Sequence, residues 1–263
     1  MQNLIILYII VVIINVFLVF YFTVRLVGVE TKKIFTSDAT FQVINLIPKS
    51  ISIFQVPLLT LYTEYAINNQ IIINPLYYQA VILSGLLGIL IGCTLLPFFI
   101  YLLKESINSI YQNNSFNILF NIKSVKIILQ SIGRANFSLF FKGHKLYKIK
   151  NKKLFFNNLI VSFLLCSAFP ACILAGYYLP AYRATINSLV SVFNGIAAFV
   201  VILFIDTKLS VFTDKTLHDK MSYWDFKVVI FDCIKGKIFG TLIGIITLPI
   251  LSNGIVLLVH KLI

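Results

Sequence analysis

The chain has 263 residues, of which 59% are hydrophobic and 12% are charged, and its mean hydropathy is +0.93. Water-soluble domains carry charges on about 25% of their residues, so this composition excludes an ordinary soluble domain and indicates a membrane protein. The formal net charge of +13 has a plain explanation in lysines on the cytoplasmic side of a membrane, which anionic headgroups attract. We therefore predict membrane lipids as partners and no nucleic acid.

Six apolar segments are long enough to cross about 30 Å of hydrocarbon, which takes about 20 helical residues. They cover residues 4–24, 43–63, 77–103, 155–177, 186–205 and 239–259. The predicted fold class is an all-α, polytopic transmembrane helical bundle of about six spans. Pro48, Lys49 and Pro57 interrupt the second span, which predicts a broken or re-entrant helix surrounded by protein or water.

The first span has no basic residue before it and no small-x-small cleavage site after it, so it is predicted to be a retained helix and not a signal peptide. Three of the 22 Lys and Arg residues follow span one, ten lie between spans three and four, and six lie between spans five and six. The positive-inside rule then places these three basic loops in the cytoplasm and both termini outside the cell.

The spans divide the chain into two transmembrane halves, 1–105 and 155–263, joined by a basic amphipathic connector, 106–154. Within the connector, residues 115–141 are typical of an interfacial helix that begins at an N-cap, Ser115. The lysine-rich run from Lys142 to Lys153 favours a surface that faces lipid headgroups.

No motif for a metal, a cofactor or a nucleotide is found in the sequence. The four cysteines have no C-x-x-C spacing, the three histidines are scattered, and there is no P-loop. We expect no disulfide, no metal and no cofactor, and the chain is not expected to be an enzyme.

The third and sixth spans share a glycine and proline pattern. Gly88, Gly92 and Pro97 have the same spacing as Gly240, Gly244 and Pro249. An acid precedes each pattern, Glu64 by 24 residues and Asp214 by 26. Because three spans separate the matching elements, we predict an inverted repeat of three plus three spans. Glycines at this spacing also occur for close helix packing alone.

Several stretches in the same order along nearly the whole chain carry a resemblance to one family. They are residues 25–34 (RLVGVETKKI), 54–59 (FQVPLL), 92–97, 182–185 (YRAT), Asn194 to Ala197, and Asp206 through Asp214. The chain resembles the Amj family, bacterial lipid II flippases described as alternates to the unrelated MurJ. The resemblance implies a multi-pass plasma-membrane protein that moves the undecaprenyl-diphosphate-linked peptidoglycan precursor, lipid II, to the outer leaflet. Lys49 stands where family members tend to have arginine, and Thr207 where proline is usual.

A diphosphate headgroup with about two negative charges needs cations inside a groove, and arginine suits phosphate through its fork of donors. The candidates for substrate binding are Arg183, Arg25, Lys49 and Asn194. Arg25 also fits an anchor on the basic side, and Lys49 and Arg183 also fit residues that reach an interface. Asn194 also fits a hydrogen bond between helices.

Carboxylates and helix breakers complete the predicted site. Glu64, Asp206 and Asp214 are candidates for coupling ions or balancing the cations, with interfacial or capping roles, or local pairing with Lys208 and Lys215, as alternatives. Gly92, Pro97, Gly244 and Pro249 are candidates for hinges or packing.

Two other classes of function stay open on the sequence alone. One is a membrane enzyme acting on lipid-linked phosphate, for which no cluster of arginine with a histidine or serine nucleophile is found. The other is a structural or accessory subunit of a membrane complex. A homodimer is also predicted, because a chain of this size encloses only a small cavity.

Overall fold

The structure, a computed structural model, describes residues 2–113 and 149–262. Within these ranges all regular elements are helical, and six segments are long and apolar enough to cross a bilayer. The predicted all-α bundle of six spans is therefore confirmed. The predicted interfacial helix, 115–141, and most of the lysine-rich run after it lie outside the described residues.

Nine α-helices make up the described part of the chain. In the first half they are α1 (Gln2–Thr31), α2 (Ile34–Ser52), α3 (Gln55–Asn68), α4 (Leu76–Thr94) and α5 (Leu96–Asn113). In the second half they are α6 (Lys152–Tyr178), α7 (Arg183–Val200), α8 (Thr207–Leu217) and α9 (Tyr223–Leu262). A short 3₁₀ turn, Pro180–Tyr182, precedes α7, and a π-helical segment, Val201–Asp206, joins α7 to α8.

The third span is shorter than the sequence predicts. Instead of continuing to residue 103, α4 ends at Thr94 and a new helix, α5, begins at Leu96. Pro97 lies in the first turn of α5, where its missing N–H leaves no internal hydrogen bond unmade. The predicted hinge at Pro97 is thus the start of a separate helix and not a kink inside a span.

The second span of each half, which is the second or the fifth span of the chain, is interrupted, and the two interruptions lie at matching positions. The second span breaks between Ser52 and Gln55, as the sequence predicts, and the fifth contains the π-helical segment Val201–Asp206. The break at residues 52–55 and the centre of this segment are 150 residues apart. Non-α backbone inside a span often marks a functional position.

The first and third spans of each half run parallel and touch at glycines. A β-carbon on Gly88 would collide with the carbonyl oxygen of Val12, and one on Gly92 would lie 2.9 Å from Cβ of Val19. In the second half, β-carbons on Gly240 and Gly244 would collide with the Leu159 carbonyl oxygen and lie 2.8 Å from Sγ of Cys166, respectively. Gly92 and Gly244 are therefore packing residues, which is one of their predicted roles.

The packed core separates into two ends of the bundle. Leu7, Tyr78, Leu174 and Leu248 share one cluster with residues close to both termini, and we call this end the terminal face. Leu26, Leu96, Leu154 and Phe226 share another cluster at the opposite end, which we call the distal face. The chain runs from the terminal to the distal face in α1 and α4, and from the distal to the terminal face in α6 and α9.

Pro249 lies inside the long helix α9 and leaves the carbonyl oxygen of Ile245, four residues earlier, without its usual backbone donor. The side-chain amide of Gln79, on α4, donates a hydrogen bond of 3.0 Å to this oxygen. The two third spans are therefore joined at the position where the proline interrupts hydrogen bonding in α9.

We expect Gly240→Ala to lower stability by about 1–3 kcal/mol, because its β-carbon would collide with the backbone of α6. Gly254→Ala is a matched control on the same helix, since a β-carbon there meets nothing within 4 Å, and we expect it to stay within about 1 kcal/mol of the parent. Thermal unfolding of both variants in detergent measures the difference. Equal losses at the two positions would contradict this packing.

Candidate functional site

Two cavities, one at each face of the bundle, contain the two predicted arginines of the described ranges. Arg25 lines a cavity at the distal face and Arg183 lines a cavity at the terminal face. The predicted cations therefore do not meet in one shared pocket, and the expectation of a single cationic pocket is wrong for this conformation.

The distal cavity has a volume of about 290 Å³. One wall comes from α1 and α2, with Arg25, Gly28, Ile34, Phe35, Ser37 and Asp38, and the other from α8, with Ser210, Thr213, Asp214 and Leu217. The cavity is thus built between the two halves of the chain. Its polar lining combines one guanidinium with two carboxylates and three hydroxyls.

Arg25 is held by two residues of the fifth span and by Tyr21 of its own helix, α1. Its Nη2 atom lies 3.2 Å from Oδ1 of Asp206 and donates to the hydroxyl oxygen of Tyr21 at 3.2 Å, while Nη1 donates to Oγ of Ser210 at 3.2 Å. The Tyr21 hydroxyl in turn donates to Asp206. The side chains of Arg25 and Asp206 are only 17% and 33% exposed, so water screens this ion pair weakly.

The terminal cavity is much smaller, with a volume of about 10 Å³, near the lower limit for a single water molecule. Its walls come from α3, with Thr60, Thr63, Glu64 and Ile67, and from α6 and α7, with Ile173, Gly176, Arg183 and Asn187. Nη1 of Arg183 lies 3.5 Å from Oε1 of Glu64. This contact also joins the two halves of the chain.

Two polar atoms in the terminal cavity have no hydrogen-bond partner. They are Oγ1 of Thr60 and Oδ1 of Asn187, both buried. Leaving a buried polar atom without a partner costs about 1–3 kcal/mol, so their presence at the Arg183–Glu64 contact calls for an explanation beyond packing.

Three predicted site residues take no part in these contacts. Lys49 on α2 and Asn194 on α7 are exposed, and neither makes a side-chain hydrogen bond or ion pair within the described ranges. The described residues thus show no interhelical hydrogen bond of the Asn194 side chain. Asp214 is exposed, lines the distal cavity and has no ion-pair partner in the described part of the chain.

Of the three predicted carboxylates, Glu64 and Asp206 contact predicted cations. Asp206 pairs with Arg25 and not with Lys208, because the π-helical segment Val201–Asp206 carries it against α1. The roles of these residues in binding or coupling stay predictions.

Sequence reasoning missed Tyr21, Asn187 and Thr60. A spacing signal existed for two of them, because Tyr21 precedes Arg25 by four residues and Asn187 follows Arg183 by four, which places each on the same helix face as its arginine. Thr60 carries no such local signal, since it reaches Arg183 only through the packing of α3 against α6 and α7.

The six apolar spans define a polytopic helical protein, a multi-pass protein of the cell membrane, and its discontinuous helices are a feature that many transporters share. The profile of the family Amj, described as "Alternate to MurJ", matches residues 9–258. The chain belongs to the Amj family. This assignment confirms the resemblance and the prediction that the chain is not an enzyme.

One curated relative is the protein named "Lipid II flippase Amj" from Bacillus subtilis (strain 168). It is 24% identical over 230 residues, which cover 85% of this chain and 84% of the relative. No solved structure matches the chain significantly.

We expect Asp206→Asn to destabilise the protein by about 1–3 kcal/mol, because Arg25 loses its charged partner in a poorly solvated place. Asp214→Asn is the matched control, an exposed aspartate without an ion-pair partner in the described residues, and we expect it to change stability by less than about 0.5 kcal/mol. Thermal unfolding in detergent measures both. Asp214→Asn costing as much as Asp206→Asn would contradict the account of Arg25.

Proposed function

We propose that this chain is a lipid II flippase that moves the undecaprenyl-diphosphate-linked peptidoglycan precursor from the inner to the outer leaflet of the plasma membrane. Membership of the Amj family and the name of the Bacillus subtilis relative support the substrate class. The observation that carries the proposal is the presence of an arginine in a cavity at each face of a bundle of apolar spans.

The chemistry of the substrate explains why such arginines are useful. The polyprenyl tail of lipid II can remain in the bilayer, but its diphosphate carries charge that hydrocarbon does not solvate. A guanidinium can bind a phosphate through two parallel hydrogen bonds. Arg25 and Arg183 would give the diphosphate a partner near each leaflet, and Glu64 and Asp206 would balance the same cations while no substrate is bound.

Lys49 and Asn194 keep their proposed roles as contacts on the path between the cavities. Both lie on exposed faces of spans, where a polar side chain without a partner costs free energy unless water or a headgroup reaches it. The second span is interrupted at residues 52–55, shortly after Lys49, and the fifth at Val201–Asp206, after Asn194; this non-α backbone supports a polar path through the two spans.

We further propose that the distal face is cytoplasmic and that both termini lie outside the cell. Basic residues of the described part of the chain are concentrated at the distal end, in the loops before α2 and α6 and around α8 and the start of α9. The positive-inside rule favours this orientation. On this reading the larger cavity, with Arg25, opens toward the leaflet in which the substrate is made.

An inverted repeat is the proposed basis of transport. It is supported by three features that occur once in each half. The first and third spans run parallel and touch at glycines, and the second span is discontinuous. The third feature is a helix, α3 or α8, that forms one wall of a cavity whose other wall comes from the opposite half. Halves of opposite orientation let one site face either side of the membrane.

The test is complementation of transport in a bacterium depleted of its resident lipid II flippase. We expect expression of this chain to raise the amount of lipid II accessible at the outer surface. We expect Arg183→Ala to reduce this amount at least about tenfold at equal expression, because a hydrogen-bonded charge contact with phosphate is lost. Arg183→Lys should retain part of the activity, since the charge remains without the fork.

Lys261→Ala is the control, because Lys261 is an exposed cation close to the end of α9 at the same face and lines neither cavity. It should transport like the parent. No rise in accessible lipid II with the well-expressed parent chain would contradict the proposed function, and full activity of Arg183→Ala would contradict the role of Arg183.

A further inference from the structure

The α3 wall of the terminal cavity and the α8 wall of the distal cavity match residue by residue. In the first wall, the residues are Thr60, Thr63, Glu64 and Ile67, and in the second they are Ser210, Thr213, Asp214 and Leu217. Each pair is separated by 150 positions and has the same chemical character: hydroxyl, hydroxyl, carboxylate and aliphatic. Four matches at one constant offset are not required by helix packing alone.

The opposite walls correspond as well. Ser37 in the distal cavity and Asn187 in the terminal cavity are also 150 positions apart, and each lies against a glycine of the preceding span. A β-carbon on Gly28 would lie 3.0 Å from Oγ of Ser37, and one on Gly176 would lie 3.5 Å from Oδ1 of Asn187. Each cavity therefore takes one wall from the first half of the chain and the other wall from the second half.

The arginines do not occupy equivalent positions. The position that matches Arg183 is Lys33, whose amine donates to Oδ1 of Asn108 at 2.8 Å and lies 4.2 Å from the centre of the Tyr111 ring. In the distal cavity the guanidinium comes from Arg25 on α1. The carboxylates are thus the equivalent members of the two sites, and each lines a cavity that also contains one arginine; Glu64 contacts Arg183, whereas Arg25 is paired with Asp206 and not with Asp214.

The two cavities differ in volume and in the contacts of their carboxylates within the same structure. In the terminal cavity the carboxylate of Glu64 contacts Arg183 and the volume is about 10 Å³. In the distal cavity the carboxylate of Asp214 has no ion-pair partner within the described residues and the volume is about 290 Å³. One cavity is narrow where its lining carboxylate contacts its arginine, while the other is wide and its lining carboxylate, Asp214, makes no ion pair with Arg25.

We infer that the two cavities are alternately opened copies of one headgroup-binding site, closed in turn by Glu64 meeting Arg183 and by Asp214 meeting Arg25. In the opposite state the terminal cavity opens and the distal cavity closes. Opening frees Arg183 and exposes Oγ1 of Thr60 and Oδ1 of Asn187, the buried atoms that lack partners here. These oxygens then accept hydrogen bonds from the sugar hydroxyls or amides of the headgroup; this assignment of the ligand rests on the proposed function.

The experiment measures the accessibility of matched cysteines in the purified full chain. Thr60→Cys and Ser210→Cys are introduced separately after Cys93, Cys166, Cys172 and Cys233 are replaced by alanine. A water-soluble maleimide reports the rate of modification. With no further change we expect the cysteine at 210 to react faster than the one at 60, because Ser210 is exposed and Oγ1 of Thr60 is buried.

Glu64→Gln, which removes the charge that closes the terminal cavity, should then reverse the order. The rate at position 60 should rise and the rate at position 210 should fall, each by roughly two- to five-fold, the shift expected when an ion pair is lost whose side chains are 45% and 39% exposed. Arg183→Gln breaks the same contact from the other side and should give the same reversal if Glu64→Gln fails to fold. Asp214→Asn should leave the original order unchanged.

Lys220→Cys, in the exposed loop between α8 and α9, should react equally in every background. Rates at positions 60 and 210 that rise together, or that do not respond to Glu64→Gln and Arg183→Gln, would overturn this inference whatever the transport assay gives. Opposite changes at the two positions in a chain that fails to transport lipid II would support the alternating cavities and remove the proposed function.

Discussion

The two arginines of the described spans are each paired with a carboxylate from the other half of the chain. Arg25 of the first half contacts Asp206 of the second, and Arg183 of the second half contacts Glu64 of the first. An ionised side chain in a membrane span requires a partner or water, because leaving it bare costs free energy, about 2.5–3.5 kcal/mol at the bilayer centre by the lower scales and less toward either face. The requirement to neutralise these charges therefore holds the two halves against one another.

The rest of the fold allows this contact to be made and broken without separating the halves. The parallel pairs α1 with α4 and α6 with α9 are packed through glycines so closely that no β-carbon fits, and the hydrogen bond from Gln79 to Ile245 joins the two third spans. These four helices form a tightly packed unit. By contrast, the second and fifth spans are interrupted, carry Glu64, Asp206 and Asp214, and expose most of their residues. Few packing contacts therefore restrain the movement of these two spans.

Much of the fold could be predicted from the sequence, because length and apolar composition determine whether a segment crosses a bilayer. The six spans, the interruption near Pro48 and Pro57, and the glycine contacts of α4 and α9 followed from local patterns. The end of α4 at Thr94 was not predicted, since the apolar run continues without a change in composition; Pro97 is the local signal for this break, because a proline disfavours the continuation of the preceding helix.

The candidate site could be predicted in its residue types but not in its arrangement. The cations and acids were found because charges are rare in apolar sequence, yet their pairing depends on which helices of the two halves touch. No local spacing relates Arg25 to Asp206, which lie 181 positions apart. The same limit explains why the exposed positions of Lys49 and Asn194 could not be predicted, and why Thr60 was overlooked.

The most direct test of the central claim, that the arginines leave their carboxylates to hold a diphosphate, is a distance between phosphorus and arginine carbon. The chain has three arginines, Arg25, Arg134 and Arg183, so ¹³C labelling of arginine side chains gives few signals in solid-state NMR with lipid II in the membrane. We expect a ³¹P to Cζ distance of roughly 4 Å, as in a phosphate–guanidinium contact. This short distance should be lost when Arg25 and Arg183 are both changed to lysine. A close contact that survives in this double variant, or no contact in a chain that transports lipid II, would contradict this claim.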